Sequence, residues 1–251
     1  MHPNEWAPPV VLYEDPFTNQ VACVSVRVRL LLGDTFLDVH QRLKPEDVTC
    51  ETVCTRIIER QNISAEASKL FALWIVGKDL EIQIRPKTNL VDIVKDWRQL
   101  VVKYTHFPQA VDPDHMFNRY WLLFRREASV CKKVERELTL KDTIALKMLF
   151  GEAKRNIITG RYPCSVKDAI NLAALQLQVS IGNYDPIRCP SGYVAKNPDL
   201  IKNILSAKIV KKKTVWSWEK HIRNEHERLK DISTKRAQVW CVINFLNLYL
   251  S

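Results

Sequence analysis

The segment 221–226 holds the sequence's most suggestive cluster of reactive side chains, two histidines and Glu225. Metalloprotease helices place two histidines and a glutamate around a zinc ion. Here His221 and Glu225 are four residues apart and share a helix face, whereas His226 lies about 140° from His221 on a helical wheel. Because three ligands do not converge, the sequence favours a solvated helix face over a metal site.

Other catalytic motifs are absent from the sequence. No GxSxG, GxxxxGK[ST] or GxGxxG motif occurs, so acyl transfer, P-loop nucleotide hydrolysis and Rossmann-type cofactor binding lack support. The seven cysteines are scattered, with no CxxC pair. This pattern predicts reduced thiols in a cytosolic protein rather than disulfides or a zinc finger. We therefore expect no enzyme activity, no cofactor and no metal.

A basic segment near the C-terminal end offers clearer binding chemistry. Residues 202–236 hold eleven Lys and Arg against four Asp and Glu, so +7 of the net charge of +10 lies there. Four lysines stand close together: Lys208, Lys211, Lys212 and Lys213. They are candidates for binding anionic phospholipid, because each lysine near such a membrane contributes about 1 kcal/mol. A solvated loop with Trp216 or Trp218 in the core is the alternative, and without a nucleic-acid motif we expect no nucleic acid partner.

Alternating apolar residues predict a strand-rich first half. The expected strands are 10–15, 21–32, 71–76 and 79–85. An amphipathic helix at 51–60 separates the two strand pairs, and a second helix follows at 90–101. Gly77-Lys78 predicts a two-residue turn with glycine first. The order β-β-α-β-β indicates one lobe over residues 10–107, in which Trp74 and Trp97 are expected to be core.

The second half is predicted to be helical. We divide the chain into an N-terminal tail (1–9), the strand-rich lobe, a polar linker (108–123), a helical lobe (124–236) and an apolar C-terminal tail (237–251). Residues 169–181 are apolar nearly all round, which predicts a centrally buried helix. The C-terminal tail has helical spacing, and we expect it to dock partially and to leave apolar surface exposed.

Two stretches of the sequence resemble the FERM domain family. Residues 160–185 carry a Gly-x-x-x-Cys turn, an Ala- and Leu-rich helix that ends in Leu-Gln, and a Gly-Asn-Tyr exit, as in the second FERM lobe. Phe71–Val76, residues 80–87 and Trp97 are similar to the first lobe. The resemblance implies an α+β fold with a ubiquitin-like β-grasp lobe followed by an all-helical, acyl-CoA-binding-protein-like lobe. FERM modules normally have a third lobe, and we do not expect one in this sequence.

The resemblance also implies a function. FERM relatives are adaptors or scaffolds that bind cytoplasmic tails of membrane proteins, and one engages a Ras-like small GTPase through its first two lobes. Arg27 and Arg29 on a strand face, with Lys87 after the next hairpin, are the candidate protein-binding residues, and a solvated strand face is the alternative. We expect a cytoplasmic protein, peripheral at the plasma membrane. Its apolar runs fall short of the ~20 residues of a membrane span. A truncated or spliced regulatory fragment is the alternative function.

Overall fold

The structure, a computed structural model, describes residues 8–105 and 119–249, with side chains as far as Phe245. The chain divides into two units, Met1–Val130 and Cys131–Ser251. Among the described residues the first unit combines a six-stranded sheet with α-helices, and the second contains helices and no strand. This is the predicted α+β arrangement. Most of the expected tail 1–9 and linker 108–123 lies outside the described residues.

The sheet of the first unit is organised around one long strand. The elements are β1 (Val10–Glu14), β2 (Val21–Leu32), β3 (Thr35–Leu43), α1 (Cys50–Gln61), β4 (Phe71–Val76), β5 (Glu81–Gln83), α2 (Leu90–Lys95), α3 (Trp97–Tyr104) and β6 (Trp121–Arg126). Strand β2 pairs antiparallel with β3 along one edge. Its other edge pairs with β1 near its start and, in parallel, with β6 at residues 28–30. Strands β4 and β5 continue the sheet beyond β6.

The inward face of the sheet follows from the alternation in β2. Its inward side chains are fully buried: Val24, Val26, Val28 and Leu30. Helix α1 covers this core with Val53 and Ile57. It begins at Thr49, whose side chain accepts the Thr52 N–H, and ends at Asn62 in the left-handed conformation.

Sequence patterning did not predict β3 or β6. In β3 the buried Gln41 interrupts the inward apolar row, and its Nε2 donates to the Val53 carbonyl at 3.2 Å. In β6 the apolar residues form a short continuous run, which periodicity alone does not distinguish from a helix segment. The predicted division split β6 between the linker and the helical lobe, whereas the strand lies inside the sheet of the first unit.

The predicted two-residue turn at Gly77-Lys78 is wrong. Val76 pairs with Glu81, so the loop contains the four residues 77–80, and the Gly77 N–H donates to the Leu80 carbonyl at 2.9 Å. Glycine is required there for a different reason. An added Cβ at Gly77 would lie 2.6 Å from the Trp97 ring, which is only 2% exposed. Trp97 is core as predicted, and its ring needs the space that glycine leaves.

The second unit is built around one central helix. Its helices are α4 (Lys132–Lys141), α5 (Thr143–Ile158), α6 (Val166–Ile181), α7 (Pro198–Ile204), α8 (Ala207–Val210), α9 (Val215–Arg228) and α10 (Thr234–Tyr249). Helix α6 begins at Ser165, whose Oγ accepts the Asp168 N–H at 3.1 Å. Its consecutive residues Leu172, Ala173 and Ala174 are all buried, and it packs against α9 and α10. The central burial predicted for 169–181 is confirmed.

Helix α10 closes the core of the second unit. Its buried side chains are Ala237, Val239, Cys241, Val242 and Phe245. The Phe245 ring meets the Tyr162 ring edge-on, with 5.4 Å between centroids, and the helix packs on α4, α5 and α6. Partial docking of this apolar segment was expected, and these five side chains are docked, whereas Trp240 and Ile243 are half-buried. The segment is core because its apolar side chains fill the space beside α6.

Helix α9 holds the loop between α6 and α7 through two buried polar side chains. The Glu219 carboxylate accepts backbone N–H groups of Gly192 at 2.6 Å, Val194 at 3.1 Å and Ala195 at 2.7 Å. These bonds satisfy a buried charge and three loop donors together. The loop is therefore pinned to the helix by its backbone.

His226 makes the second of these attachments. The residue is 1% exposed, and its Nε2 lies 2.8 Å from the Gly182 carbonyl oxygen at the end of α6. The Tyr184 ring stands edge-on to the imidazole at 6.0 Å. Burial lowers the pKa of His226, because desolvation penalises the charged ring. The neutral ring therefore donates its Nε2–H to Gly182.

We expect Phe245→Ala to destabilise the second unit by about 3 to 5 kcal/mol, the usual cost of removing a buried Phe side chain. Asn244→Ala is the matched control, since Asn244 is exposed on the same helix and should change the free energy of unfolding by less than about 0.5 kcal/mol. Chemical denaturation followed by circular dichroism measures both. Equal stabilities for the two variants would contradict a core role for α10.

The His226 pKa predicts a pH dependence of stability. The unfolded histidine takes up a proton near its ordinary pKa of 6.5, whereas the folded one resists protonation. Its contribution to stability is thus complete above this pKa and is lost as the pH falls below it, by about 1.4 kcal/mol per unit of pKa difference.

Melting temperatures between about pH 7.5 and 5.5 measure this effect, since histidine titrates in that range. His226→Gln keeps a side-chain donor for Gly182 but does not titrate, so its melting temperature should fall less over the same interval. Glu219, Arg223 and Tyr184 share the small cavity beside His226 and are unchanged in both proteins. Parallel pH profiles for the two proteins would rule out His226 as the titrating group.

Candidate functional site

The outward face of β2 and β3 carries a concentration of arginine. Arg29 pairs with Asp38 through two contacts, Nε to Oδ1 at 2.7 Å and Nη2 to Oδ2 at 3.1 Å. Its guanidinium also lies 5.6 Å from the centre of the Phe36 ring. The Arg29 hydrogen bond lowers the pKa of Asp38. Arg29 is therefore fixed in the face by a neighbouring carboxylate and an aromatic ring.

Two further arginines make this half of the face positive. Arg27 lies opposite His40 on β3, and its charge also acts on Asp38. Arg42, opposite Ser25, is exposed and extends its guanidinium to 5.9 Å from the Tyr13 ring centre. Strands β2 and β3 thus present three arginines and one aspartate. We call the outward side chains of these two strands the arginine face.

The other half of the outward face was not predicted. Trp74 was expected in the core, but Leu73 and Ile75 take the inward positions of β4, so Trp74 is half-buried on the outer side. The Arg125 guanidinium of β6 stacks 4.2 Å above the Trp74 ring and binds the Glu81 carboxylate at 2.6 Å. All six residues of β4 are apolar, so its sequence gives no polar alternation that could have placed Trp74 outward.

Lys87 does not share a face with Arg27 and Arg29. It is exposed in the segment after β5, between two residues whose carbonyls accept N–H groups from the start of α1. The Pro86 carbonyl binds the Glu51 N–H, and the Thr88 carbonyl binds the Cys50 N–H, each at 2.9 Å. The structure therefore groups the two arginines and places Lys87 at the amino end of the helix.

The predicted lysine segment lies on α8 and the turn that follows it. Lys208, Lys211 and Lys212 are exposed, and Lys213 is half-buried. Ile209 is buried beneath them, and the fully buried Trp218 donates its Nε1–H to the Val210 carbonyl at 3.0 Å. Trp216, in contrast, is 52% exposed. The segment therefore presents lysines and one tryptophan together from a well-anchored base.

The histidine segment does not form a metal centre. His221 is exposed, whereas His226 is buried against Gly182. In the part of the chain that the structure describes, no three side chains among His, Cys, Asp and Glu converge as metal ligands. No helix within residues 8–105 and 119–249 is long and apolar enough to cross a membrane.

Sequence comparison relates the second unit to a known family. Residues 135–248 match the FERM central domain, a range that includes residues 237–248 of the predicted C-terminal tail. Human FERM domain-containing protein 8 is 38% identical to the chain over 122 residues, which cover 49% of this chain and 25% of the relative. The chain thus spans about a quarter of the length of that relative.

Solved structures extend the likeness to both units. The MyTH4-FERM MF2 domain of Dictyostelium discoideum myosin VII matches 89% of this chain and 41% of its own, with a TM-score of 0.65 at 13% identity. The human myosin 7b C-terminal MyTH4-FERM domain, solved in complex with the harmonin-a PDZ3 domain, matches 88% of this chain and 41% of its own, with a TM-score of 0.58 at 19% identity. Residues 135–248 therefore match the FERM central domain, and each of the two units shares its fold with FERM-domain proteins.

Proposed function

We propose that this protein is a non-catalytic adaptor that binds an acidic protein partner through the arginine face. The observation that carries the proposal is the charge of that face, three arginines against one aspartate on two adjacent strands. A positive patch of this kind steers an acidic partner toward it and disfavours basic ones. The partner would be a Ras-like small GTPase or an acidic cytoplasmic tail of a membrane protein.

The position of β3 supports binding by an extended segment. Among the described strands, β3 pairs with β2 alone and so forms an edge of the sheet. An edge strand offers backbone N–H and C=O groups to an incoming strand, and the flanking side chains supply specificity. An acidic strand added beside β3 would lie next to Arg42 and His40, which are both exposed.

The comparisons support a protein partner in general terms. A structural neighbour, the myosin 7b domain, was solved bound to a PDZ domain. The chain spans only about a quarter of FERM domain-containing protein 8, so the proposal rests on the arginine face and not on the partners of that relative. The alternative is a regulatory role in which the chain keeps the fold without binding a partner of its own.

We expect the double variant Arg27→Glu, Arg42→Glu to weaken binding of an acidic partner at least about tenfold, with most of the loss at low salt. Arg29 is left unchanged because its pairing with Asp38 maintains the face. Binding to purified Ras-like GTPases in both nucleotide states and to acidic tail peptides distinguishes the two partner classes.

Lys95→Glu provides the control for a charge reversal, since Lys95 is exposed on α2. An equal loss in this control would attribute the effect to total charge and contradict the arginine face. Binding that appears only when a third FERM lobe is fused to the chain would favour the regulatory alternative.

We also propose that the lysine segment holds the protein at an anionic membrane, giving a peripheral location at the plasma membrane. The exposed Trp216 beside the lysines is the specific support, because tryptophan favours the interface between lipid and water. Four lysines near the surface would contribute up to roughly 4 kcal/mol, at about 1 kcal/mol each.

Charge reversal of Lys208, Lys211, Lys212 and Lys213 to Glu should abolish low-salt binding to vesicles that contain phosphatidylserine, measured by co-sedimentation. The matched control reverses four exposed lysines elsewhere in the basic region: Lys202, Lys220, Lys230 and Lys235. The control should retain most of its binding. Equal binding by the two quadruple variants would show that overall charge, and not this segment, attracts the membrane.

A further inference from the structure

Helix α1 presents two thiols in contact near its start, about one helical turn apart. The Sγ atoms of Cys50 and Cys54 are 4.0 Å apart, and the Cys50 Sγ also lies 3.6 Å from the Ile84 carbonyl oxygen. Cys50 is only 3% exposed, whereas Cys54 is half-buried and so reachable from solvent. Both cysteines are free. Neither the arginine face nor the lysine segment uses this pair.

The helix geometry disfavours a disulfide between these thiols. Residues four apart on a helix have Cβ atoms about 5 to 6 Å apart, whereas a disulfide needs a Cβ separation of about 3.5 to 4.5 Å. Closing the bond would therefore distort α1. The helix resists distortion because Thr49 caps its start and Asn62 ends it in the left-handed conformation.

A bridging metal ion fits the same two sulfurs without distortion. Thiolates bind Zn²⁺ at about 2.3 Å, so two of them on one tetrahedral ion lie roughly 3.8 Å apart. The observed separation of 4.0 Å needs to change by only a few tenths of an ångström. Thiolates are the ligands that select soft d¹⁰ ions such as Cu⁺ and Zn²⁺.

We propose that Cys50 and Cys54 form a two-thiolate binding site for a soft d¹⁰ metal ion. In the reaction two S–H bonds break, two metal–sulfur bonds form and two protons leave to solvent. Within residues 8–105 and 119–249 no third His, Cys, Asp or Glu side chain joins the pair. The remaining coordination positions therefore go to water or another solvent ligand on the side of Cys54.

The surroundings of the pair favour a cation. The charges of Glu51 and Glu127 both act on Cys50 and oppose a lone thiolate there. The same carboxylates would be attracted to a bound metal ion. The hydrogen bond from Cys54 lowers the pKa of Cys50, and this sharing of the proton, together with burial, raises the pKa of Cys54. A metal ion replaces the protons of both thiols, so binding strengthens with rising pH.

Titration of the full chain with Cd²⁺ tests the proposal, because cadmium thiolates give an ultraviolet charge-transfer band. We expect the tightest equivalent of Cd²⁺ to lose affinity by at least about 100-fold in Cys50→Ser and in Cys54→Ser, because loss of a direct ligand costs more than the roughly 10- to 100-fold that loss of an outer-shell partner costs. Cys131→Ser is the control, since Cys131 is exposed in the second unit, and it should bind as the unchanged chain does. Zn²⁺ should compete for the same equivalent.

A second measurement covers the case in which a variant does not fold. One equivalent of Cd²⁺ should protect Cys54 of the unchanged chain from alkylation, read by mass spectrometry, while Cys131 stays reactive. Protection of Cys131 before Cys54, or full affinity in either serine variant, would overturn the proposal. Protection of Cys54 with retained reactivity of Cys131 would support it.

Discussion

Strand β2 is hydrogen-bonded along both of its edges, and the first unit depends on this pairing. Its partners are β3 on one edge, and β1 and β6 on the other. Because side chains alternate along a strand, burial of Val24, Val26 and Val28 turns Arg27 and Arg29 outward. A shift of one residue in register would bury the arginines and expose the core. Burial of the apolar side of β2 therefore keeps its two arginines on the outward side, where they contribute to the arginine face.

In the second unit, burial of apolar side chains likewise fixes the arrangement, here around a central helix. Since α6 is apolar nearly all round, other elements must cover it on several sides, and α9 and α10 do so. Polar side chains then fix the connecting segments. Glu219 and His226 of α9 bind the loop that follows α6, and each is satisfied where it is buried. The lysine segment stands on this support, because Trp218 of α9 is bonded to the Val210 carbonyl.

The three proposed binding regions differ in how firmly the fold holds them. Arg29 is locked between Asp38 and Phe36, so the arginine face is largely set before a partner arrives. The thiols of Cys50 and Cys54 are held by one capped helix, which fixes their separation. The lysines are long and exposed, so they keep their rotamer freedom and suit a membrane surface that has no single geometry.

The sequence by itself determined the features that have local periodicity. The alternation in β2 placed Arg27 and Arg29 on one face, and the apolar run at 169–181 predicted the buried helix α6. The motif at 160–185 pointed to the FERM central domain that the family comparison shows. Such signals need only neighbouring residues, because a strand repeats every two residues and a helix every 3.6.

Tertiary structure decided what depends on residues far apart in the chain. Arg125 meets Glu81 across 44 positions, and Trp74 reaches the Arg126 carbonyl across 52. No local pattern encodes these contacts, since they follow from the pairing of β4 with both β6 and β5. The position of Lys87 also depends on distant residues. It lies apart from the arginines because the carbonyls of its two neighbours bind the start of α1. Likewise, α10 became core only because α6 left a surface that its apolar side chains could cover.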